Sequence, residues 1–262
     1  MTLHEFSLDD KIALVAGAGR GLGRAGALAL ARAGAHVALM SRTRSQLEET
    51  ASAVEGLGRK ALVMVADVGK TAEVEAAVQT VVETFGRIDI LFNNAGTNVR
   101  VRRPALDMTD EDWHTIFDTN VKGNFLVARA VGRQMIVQQS GRIINTSSMS
   151  AVSPEHNKVV YASSKAAVTQ FTRGLALELA PYGITVNAIA PGYMLTPRTK
   201  AALERDPEAW PRYCSTSDCT CSAKSRRRSR YRAAGRSSMP RARREGPRAC
   251  RAVPTRSAEP AA

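Results

Sequence analysis

Six short apolar runs recur between residues 12 and 189, each separated from the next by a longer segment of helical period. The runs are Ile12–Val15, His36–Met40, Ala61–Val65, Ile88–Phe92, Arg142–Thr146 and Ile184–Ile189. The helical segments run to about Ala33, then Arg44–Leu57, Thr71–Phe85, Asp110–Gln139 and Tyr161–Ala180. Strands joined by helices of this length can pair in parallel, because a parallel connection must cross over the sheet. The near-continuous apolar character of the runs fits strands covered on both faces. Right-handed crossovers then bring every strand's C-terminal end to one edge, where a ligand site is expected. The alternation therefore predicts a single α/β domain built on a doubly wound parallel sheet.

Composition divides the chain at about residue 210. The whole sequence carries 37 Lys+Arg and 24 Asp+Glu, a net charge of +13. Residues 211–262 hold 14 of the basic and 3 of the acidic groups, all four cysteines, and no Leu, Ile or Phe. Residues 1–210 are close to neutral, which argues against a nucleic-acid surface on that part. A cysteine-free body fits a reducing, cytoplasmic setting rather than a disulfide scaffold. No apolar run reaches the ~18 residues of a membrane span, and the polar, acidic start does not resemble a signal peptide.

Between the first strand and the first helix stands Gly17-Ala18-Gly19-Arg20-Gly21-Leu22-Gly23. Glycines there permit a tight turn and close approach of backbone to phosphate at a helix N-terminus. A flexible turn is the alternative for an isolated motif, but its place in a repeated strand–helix pattern favours a dinucleotide site. The spacing Gly17-x3-Gly21-x-Gly23 resembles the glycine motif of the short-chain dehydrogenase/reductase family. Asn93-Asn94-Ala95-Gly96, Asn120, Ser148, Tyr161-x3-Lys165 and Pro191-Gly192 follow in that family's order, over about residues 8–208. One departure is Ala16, where family members usually carry Thr. The resemblance implies a Rossmann-type fold, a small-molecule alcohol or ketone substrate, and a homo-oligomer (dimer or tetramer) if the C-terminus is intact.

The resemblance also assigns roles. Tyr161 would exchange the proton, Lys165 would lower its pKa and hold the nicotinamide ribose, and Asn120 would support the proton relay. Ser148, thirteen residues before Tyr161, would hydrogen-bond the reacting oxygen; Ser147 is the adjacent alternative. A tyrosine in water titrates at about 10, so a nearby ammonium is needed to make it a base at neutral pH. Gly17, Gly21, Leu22 and Gly23 would hold the pyrophosphate. Asp67 and Val68 would flank the adenine, Asn94, Ala95 and Gly96 would line the ribose, and Pro191, Gly192 and Thr196 would cover the nicotinamide. The second strand ends in Ser41-Arg42 with no carboxylate. An acid there would bind the 2′-hydroxyl of NAD, whereas Arg42 and Arg20 favour the 2′-phosphate of NADP(H), with NAD the alternative.

Substrate signals are thinner. Val152–Val160 should line the pocket, and His156 is its one titratable ring, either a substrate contact or a surface residue. Asn98–Arg103 forms a basic loop that either steers an anion or is simply solvated. Glu5-Phe6-Ser7-Leu8 and Tyr182–Pro191 look similar to sugar-acid members of the family, favouring a sugar acid or polyol; 3-oxoacyl and steroid reductases share most of the motifs.

Nothing after Trp210 resembles the family's last helix and seventh strand. An Arg/Ala/Ser/Pro-rich segment cannot bury a core and is expected to be disordered. One reading is a basic arm for nucleic acid, densest at Ser225–Arg232. Cys214, Cys219 and Cys221 lack paired ligand spacing and the tail lacks His, so no metal is expected. The favoured reading is a frameshift near Ala209–Tyr213, since GC-rich DNA read out of frame yields such text. Resequencing and translating the other two frames tests it. A catalytically impaired or regulatory dinucleotide-binding protein is the remaining alternative.

Overall fold

The computed structural model describes residues 6–99, 103–153, 155–196, 199–200 and 204. Arg100–Arg102 of the basic loop, Pro154 of the pocket segment, most of the Thr199–Glu208 stretch and all of 211–262 lie outside the described residues. So do the proposed frameshift point, the basic arm and the cysteines.

The described chain runs β1 (Ile12–Ala16), α1 (Gly21–Arg32), β2 (His36–Ser41), α2 (Arg44–Glu55), β3 (Ala61–Val65), α3 (Thr71–Phe85), β4 (Ile90–Asn93), α4 (Asp110–Phe117), α5 (Gly123–Gln138), β5 (Gly141–Thr146), α6 (Val159–Leu179) and β6 (Ile184–Ile189). All strand pairs are parallel, in the order β3-β2-β1-β4-β5-β6. The chain reverses its winding direction between β1 and β4. Their C-terminal ends therefore flank the crevice that such a sheet offers a ligand.

Side chains of β1 alternate between the two faces, as a pleated strand requires. Leu14 joins a cluster with α3 and α5 residues such as Val81 and Val131, while Val15 joins one with Ala27, Leu39 and Leu47 from α1, β2 and α2. Burying β1 completely on both sides explains its unbroken apolar run. β6 differs: at the end of the described sheet, Thr185, Asn187, Ala188 and Ile189 are exposed.

Two expected boundaries move. The fourth strand begins at Ile90 rather than Ile88, because the Asp89 carboxylate takes the Ile12 N–H at 2.9 Å and the Arg87 guanidinium. The long helix expected over Asp110–Gln139 is divided. A π-helical turn at Asp118–Lys122 separates α4 from α5. Such turns insert a residue into the helical ladder and are frequent at functional sites. Asn120 sits within it.

Candidate functional site

The glycine loop is packed rather than loose. Gly17 adopts φ +76°, and a Cβ there would lie 2.8 Å from the Ala95 Cα. A Cβ on Gly23 would overlap the Gly17 carbonyl oxygen. Main-chain N–H groups of Gly17 and Ala18 donate to Met40 O at 2.7 and 3.2 Å, tying the loop to the end of β2. At the N-terminus of α1, Arg20 makes no side-chain cap and the first turn holds no acid. The first-turn N–H groups thus lack a side-chain cap at the positive end of the helix, as an anion site needs. Leu22 and Gly23 belong to that first turn. Thr196 packs against Gly21, its Cγ2 3.7 Å from the position of a Cβ there, so the loop after β6 meets the glycine loop.

The end of β2 carries a telling polar atom. Ser41 Oγ is buried without a hydrogen-bond partner among the described residues, beside Gly19. A buried hydroxyl left unpaired is costly, and a ribose or phosphate oxygen would satisfy it. Arg42 reaches Asp67 at 3.7 Å, but its side chain is mostly exposed. Asp67 also accepts the Gly69 N–H at 2.9 Å, while its own N–H donates to Glu73. The Val68 side chain is buried against the Gly123 end of α5. These features fit a bound dinucleotide.

At the end of β4, Asn94 donates to Gly17 O at 3.4 Å and accepts from Thr146 Oγ1 at 3.4 Å, bridging the glycine loop to β5. Gly96 stands where Asn120 and Lys165 meet. A Cβ on it would lie 3.3 Å from both Asn120 Oδ1 and Lys165 Nζ. Asn120 accepts the Thr97 N–H at 2.7 Å and donates to Thr97 O and Ser164 Oγ, each at 3.0 Å. Its side-chain amide is thus fixed by three bonds, and the π turn fixes its backbone.

Lys165 is 4% exposed and donates to Thr146 O at 2.8 Å. Burial pulls its ammonium down from the ordinary 10.5 to about 8. Its Nζ lies 6.0 Å from the centre of the Tyr161 ring, one helical turn away on α6. The two candidate serines separate cleanly. Ser147 is committed to the fold, bonded to Lys165 O at 3.0 Å and to Thr169 Oγ1 at 2.6 Å. Ser148 accepts the Ser150 N–H at 3.1 Å at the start of a short helical turn, which leaves its own proton for a ligand.

Pro191 O accepts the Met149 N–H at 3.1 Å, and Ile189 O accepts the Ser147 N–H at 2.8 Å. The loops after β5 and β6 are thereby joined at their roots. His156 is exposed, beside a cavity of about 390 Å³ lined also by Pro104, Ala105, Glu155, Asn157 and Val159.

Several residues that support this site, Asn93 apart, have no motif to announce them. Thr146 matters through its carbonyl and Thr97 through its backbone, which composition cannot reveal. Asn93, Asn124, Asn145 and Thr172 form a buried ladder behind the site: Asn93 donates to Asn124 O, Asn124 to Asn145 Oδ1 and Asn145 to Thr172 Oγ1. The signal for Asn145 was a polar residue inside an apolar strand.

A glycine cradle on the first crossover and a Tyr–Lys pair on α6 fit a dinucleotide-dependent oxidoreductase. A family model described as short chain dehydrogenase matches residues 11–207. The chain is 44% identical over 196 residues to the short-chain reductase protein NovJ of Streptomyces niveus, covering 75% of this chain and 74% of that one. It is 38% identical over 203 residues to 2-dehydro-3-deoxy-D-gluconate 5-dehydrogenase of Pseudoalteromonas atlantica, covering 77% and 79%. A crystal structure of NAD+-bound xylitol dehydrogenase matches with TM-score 0.70 and 44% identity over 71% of each chain. The chain belongs to the short-chain dehydrogenase/reductase family, NAD(P)-binding oxidoreductases that act on alcohol and keto groups. Among the described residues, no helix is long and apolar enough to cross a membrane.

Proposed function

We propose that residues 1–210 form an NADP(H)-dependent enzyme that interconverts a secondary alcohol and a ketone, with Tyr161 as the general acid/base and 211–262 taking no part in the chemistry. The bound nicotinamide would supply the hydride donor or acceptor. In the oxidising direction Ser148 donates to the substrate oxygen and orients it. The Tyr161 phenolate takes the alcohol proton as the hydride leaves the carbon. Lys165 stabilises that phenolate by charge, and Asn120 supports the relay that carries the proton away behind the lysine. Positioning and the proton are the protein's share of the reaction.

The observation that carries this reading is Lys165. A buried ammonium costs stability, and this one is held on Thr146 O beside Gly96, Asn120 and the Tyr161 ring. At pH 7 a pKa of about 8 still leaves it mostly protonated.

Gly17, Gly21, Leu22 and Gly23 would hold the pyrophosphate, Arg20, Ser41 and Arg42 the 2′-phosphate, and Asp67 and Val68 the adenine. Asn94, Ala95 and Gly96 would hold the ribose, and Pro191, Gly192 and Thr196 the nicotinamide. A sugar acid or polyol is the favoured substrate, supported by likeness to a gluconate-type and a xylitol dehydrogenase. The test follows NADPH absorbance with a panel of keto acids, sugars and oxoacyl thioesters. Tyr161→Phe should cut turnover by about 10²–10⁴-fold while NADPH binding persists. Undiminished turnover in that variant overturns the assignment.

A further inference from the structure

A second charged cluster lies between Ser148 and Tyr161, in a part of the chain that the family motifs leave unassigned. Lys158 is 8% exposed, at the N-cap of α6. Its Nζ donates to both Glu155 oxygens at 2.8 Å and to Tyr193 Oη at 2.7 Å. Tyr193 in turn donates to Glu155 Oε2, and Ser150 Oγ donates to Glu155 Oε1 at 3.1 Å. Burial works to raise the Glu155 carboxyl, but the bonds from Lys158 and Tyr193 outweigh it and hold the group below its ordinary value.

Three separate pieces of chain meet in this cluster. Ser150 belongs to the turn after β5, Glu155 and Lys158 to the segment leading into α6, and Tyr193 to the loop after β6. Among the described residues, the main-chain bonds that join the two loops lie near their roots, at Ser147–Ile189 and Met149–Pro191. Further out, the described main-chain bonds are local, such as Ser153 N to Met149 O and Lys158 N to Glu155 O. Side chains must therefore fix how far apart the two walls stand.

We propose that Glu155, Lys158 and Tyr193 act as a clamp that ties the substrate wall before Tyr161 to the loop after β6, and so sets the opening through which the alcohol reaches Ser148 and Tyr161. These are positioning residues, and the role rests on the oxidoreductase reading above. Of the clamp, Glu155 also lines the cavity beside His156, whose polar lining from Glu155, His156 and Asn157 suits a hydroxylated substrate.

The experiment compares Tyr193→Phe, Glu155→Gln and the double variant in the full chain. Backbone hydrogen exchange over 155–158 should rise about tenfold in each single variant, with β1 and β4 amides unchanged as the control for folding. KM for the accepted alcohol should rise about tenfold, with kcat changed far less, since orientation at the opening governs capture rather than the chemical step. Parts of one clamp are not additive, so the double variant should match the worse single one. Unchanged exchange over 155–158, or a double-variant loss equal to the product of the two single losses, overturns the clamp. If the parent turns over no substrate in the panel, the oxidoreductase reading fails, and the exchange measurement still decides the clamp.

Discussion

The two halves of the sheet hold their ligand sites by different means. From Leu8 to Ile90, the described residues that are polar and buried as a whole are Thr50 and Asp89, with Ser41 adding a buried hydroxyl; from Asn93 onward there are twelve, including Asn120, Asn124, Asn145, Ser147, Lys165 and Thr172. The cofactor half is shaped by what is absent, namely side chains on Gly17 and Gly23 and caps on α1. The catalytic half is shaped by side chains that must find partners in a dry interior. A phosphate can be recognised by backbone and charge alone. A proton relay needs donors and acceptors at fixed places, and fixing them requires a second layer of buried polar groups.

If the first half works by backbone shape, adding one carbon should damage it most. Gly23→Ala places a Cβ against the Gly17 carbonyl oxygen, backbone on backbone, where no rotamer can relieve it. Cofactor affinity should fall by at least about 100-fold, since the helix N-terminus must move off the pyrophosphate. Calorimetric titration with NADPH measures it. Affinity within about threefold of the parent would mean that backbone shape does not govern this half.

The converse is expected at Lys165, where the proposed chemistry is set against stability. Lys165→Met should lower turnover by about 10²–10⁴-fold and yet stabilise the fold at pH 7. The folded state depresses the ammonium from 10.5 to about 8, so below pH 8 the parent carries the full cost of a buried charge. That cost is about 3 kcal/mol at most, offset by roughly 1 kcal/mol for the lost bond to Thr146 O. As pH rises from 8 toward 10.5 the unfolded chain binds more protons than the folded one, and the parent gains stability. Urea denaturation at pH 7 and pH 10 should show the advantage of the variant shrinking at the higher pH. A variant less stable than its parent at pH 7 would remove the contrast.

This division also explains what the sequence discloses. Glycine spacing, the Tyr-x3-Lys pair and the six strand–helix units are local patterns, and each maps to one element. Asn145 and Thr172 are 27 residues apart and Asn124 and Asn145 are 21 apart, so their bonds exist only once β5 and two helices have packed. The Glu155–Lys158–Tyr193 cluster is hidden for the same reason. The π turn at Asp118–Lys122 is invisible in apolar periodicity, because one inserted residue leaves both flanking helices in register with their own faces. Choosing Ser148 over Ser147 rested on a family spacing; the physical reason for it, that Ser147 is bonded to Lys165 O and Thr169, is tertiary.

Buried polar pairs of the two halves offer a finer comparison. Asn145→Leu removes the partner of both Asn124 and Thr172 and should cost about 1–3 kcal/mol through unpaired groups. Thr50→Val, in the first half, deletes bonds to Gln46 O at 2.9 Å and Ala18 O at 3.3 Å, a helical carbonyl and a loop carbonyl. Its cost should be about 1 kcal/mol or less. Thermal denaturation of the two variants ranks them, and equal losses would show the second half to be no more dependent on its polar layer.

The smallest effect is expected where the first half uses a side chain at all. Arg42 is mostly exposed and reaches Asp67 only at 3.7 Å, a pair worth about 0–1 kcal/mol. A charge-assisted bidentate bond to a 2′-phosphate is stronger than that, so the guanidinium would leave Asp67 for NADP(H). Ser41 Oγ, buried and unpaired, would gain a partner in the same event. Arg42→Ala should therefore weaken NADPH about tenfold, equivalent to roughly 1.4 kcal/mol, and leave NADH nearly unchanged. Because the lost term is electrostatic and exposed, it should shrink as salt is raised. Equal weakening of both nucleotides would assign Arg42 to the adenine ring rather than the phosphate, and the 2′-phosphate preference would then rest on Arg20 and Ser41 alone.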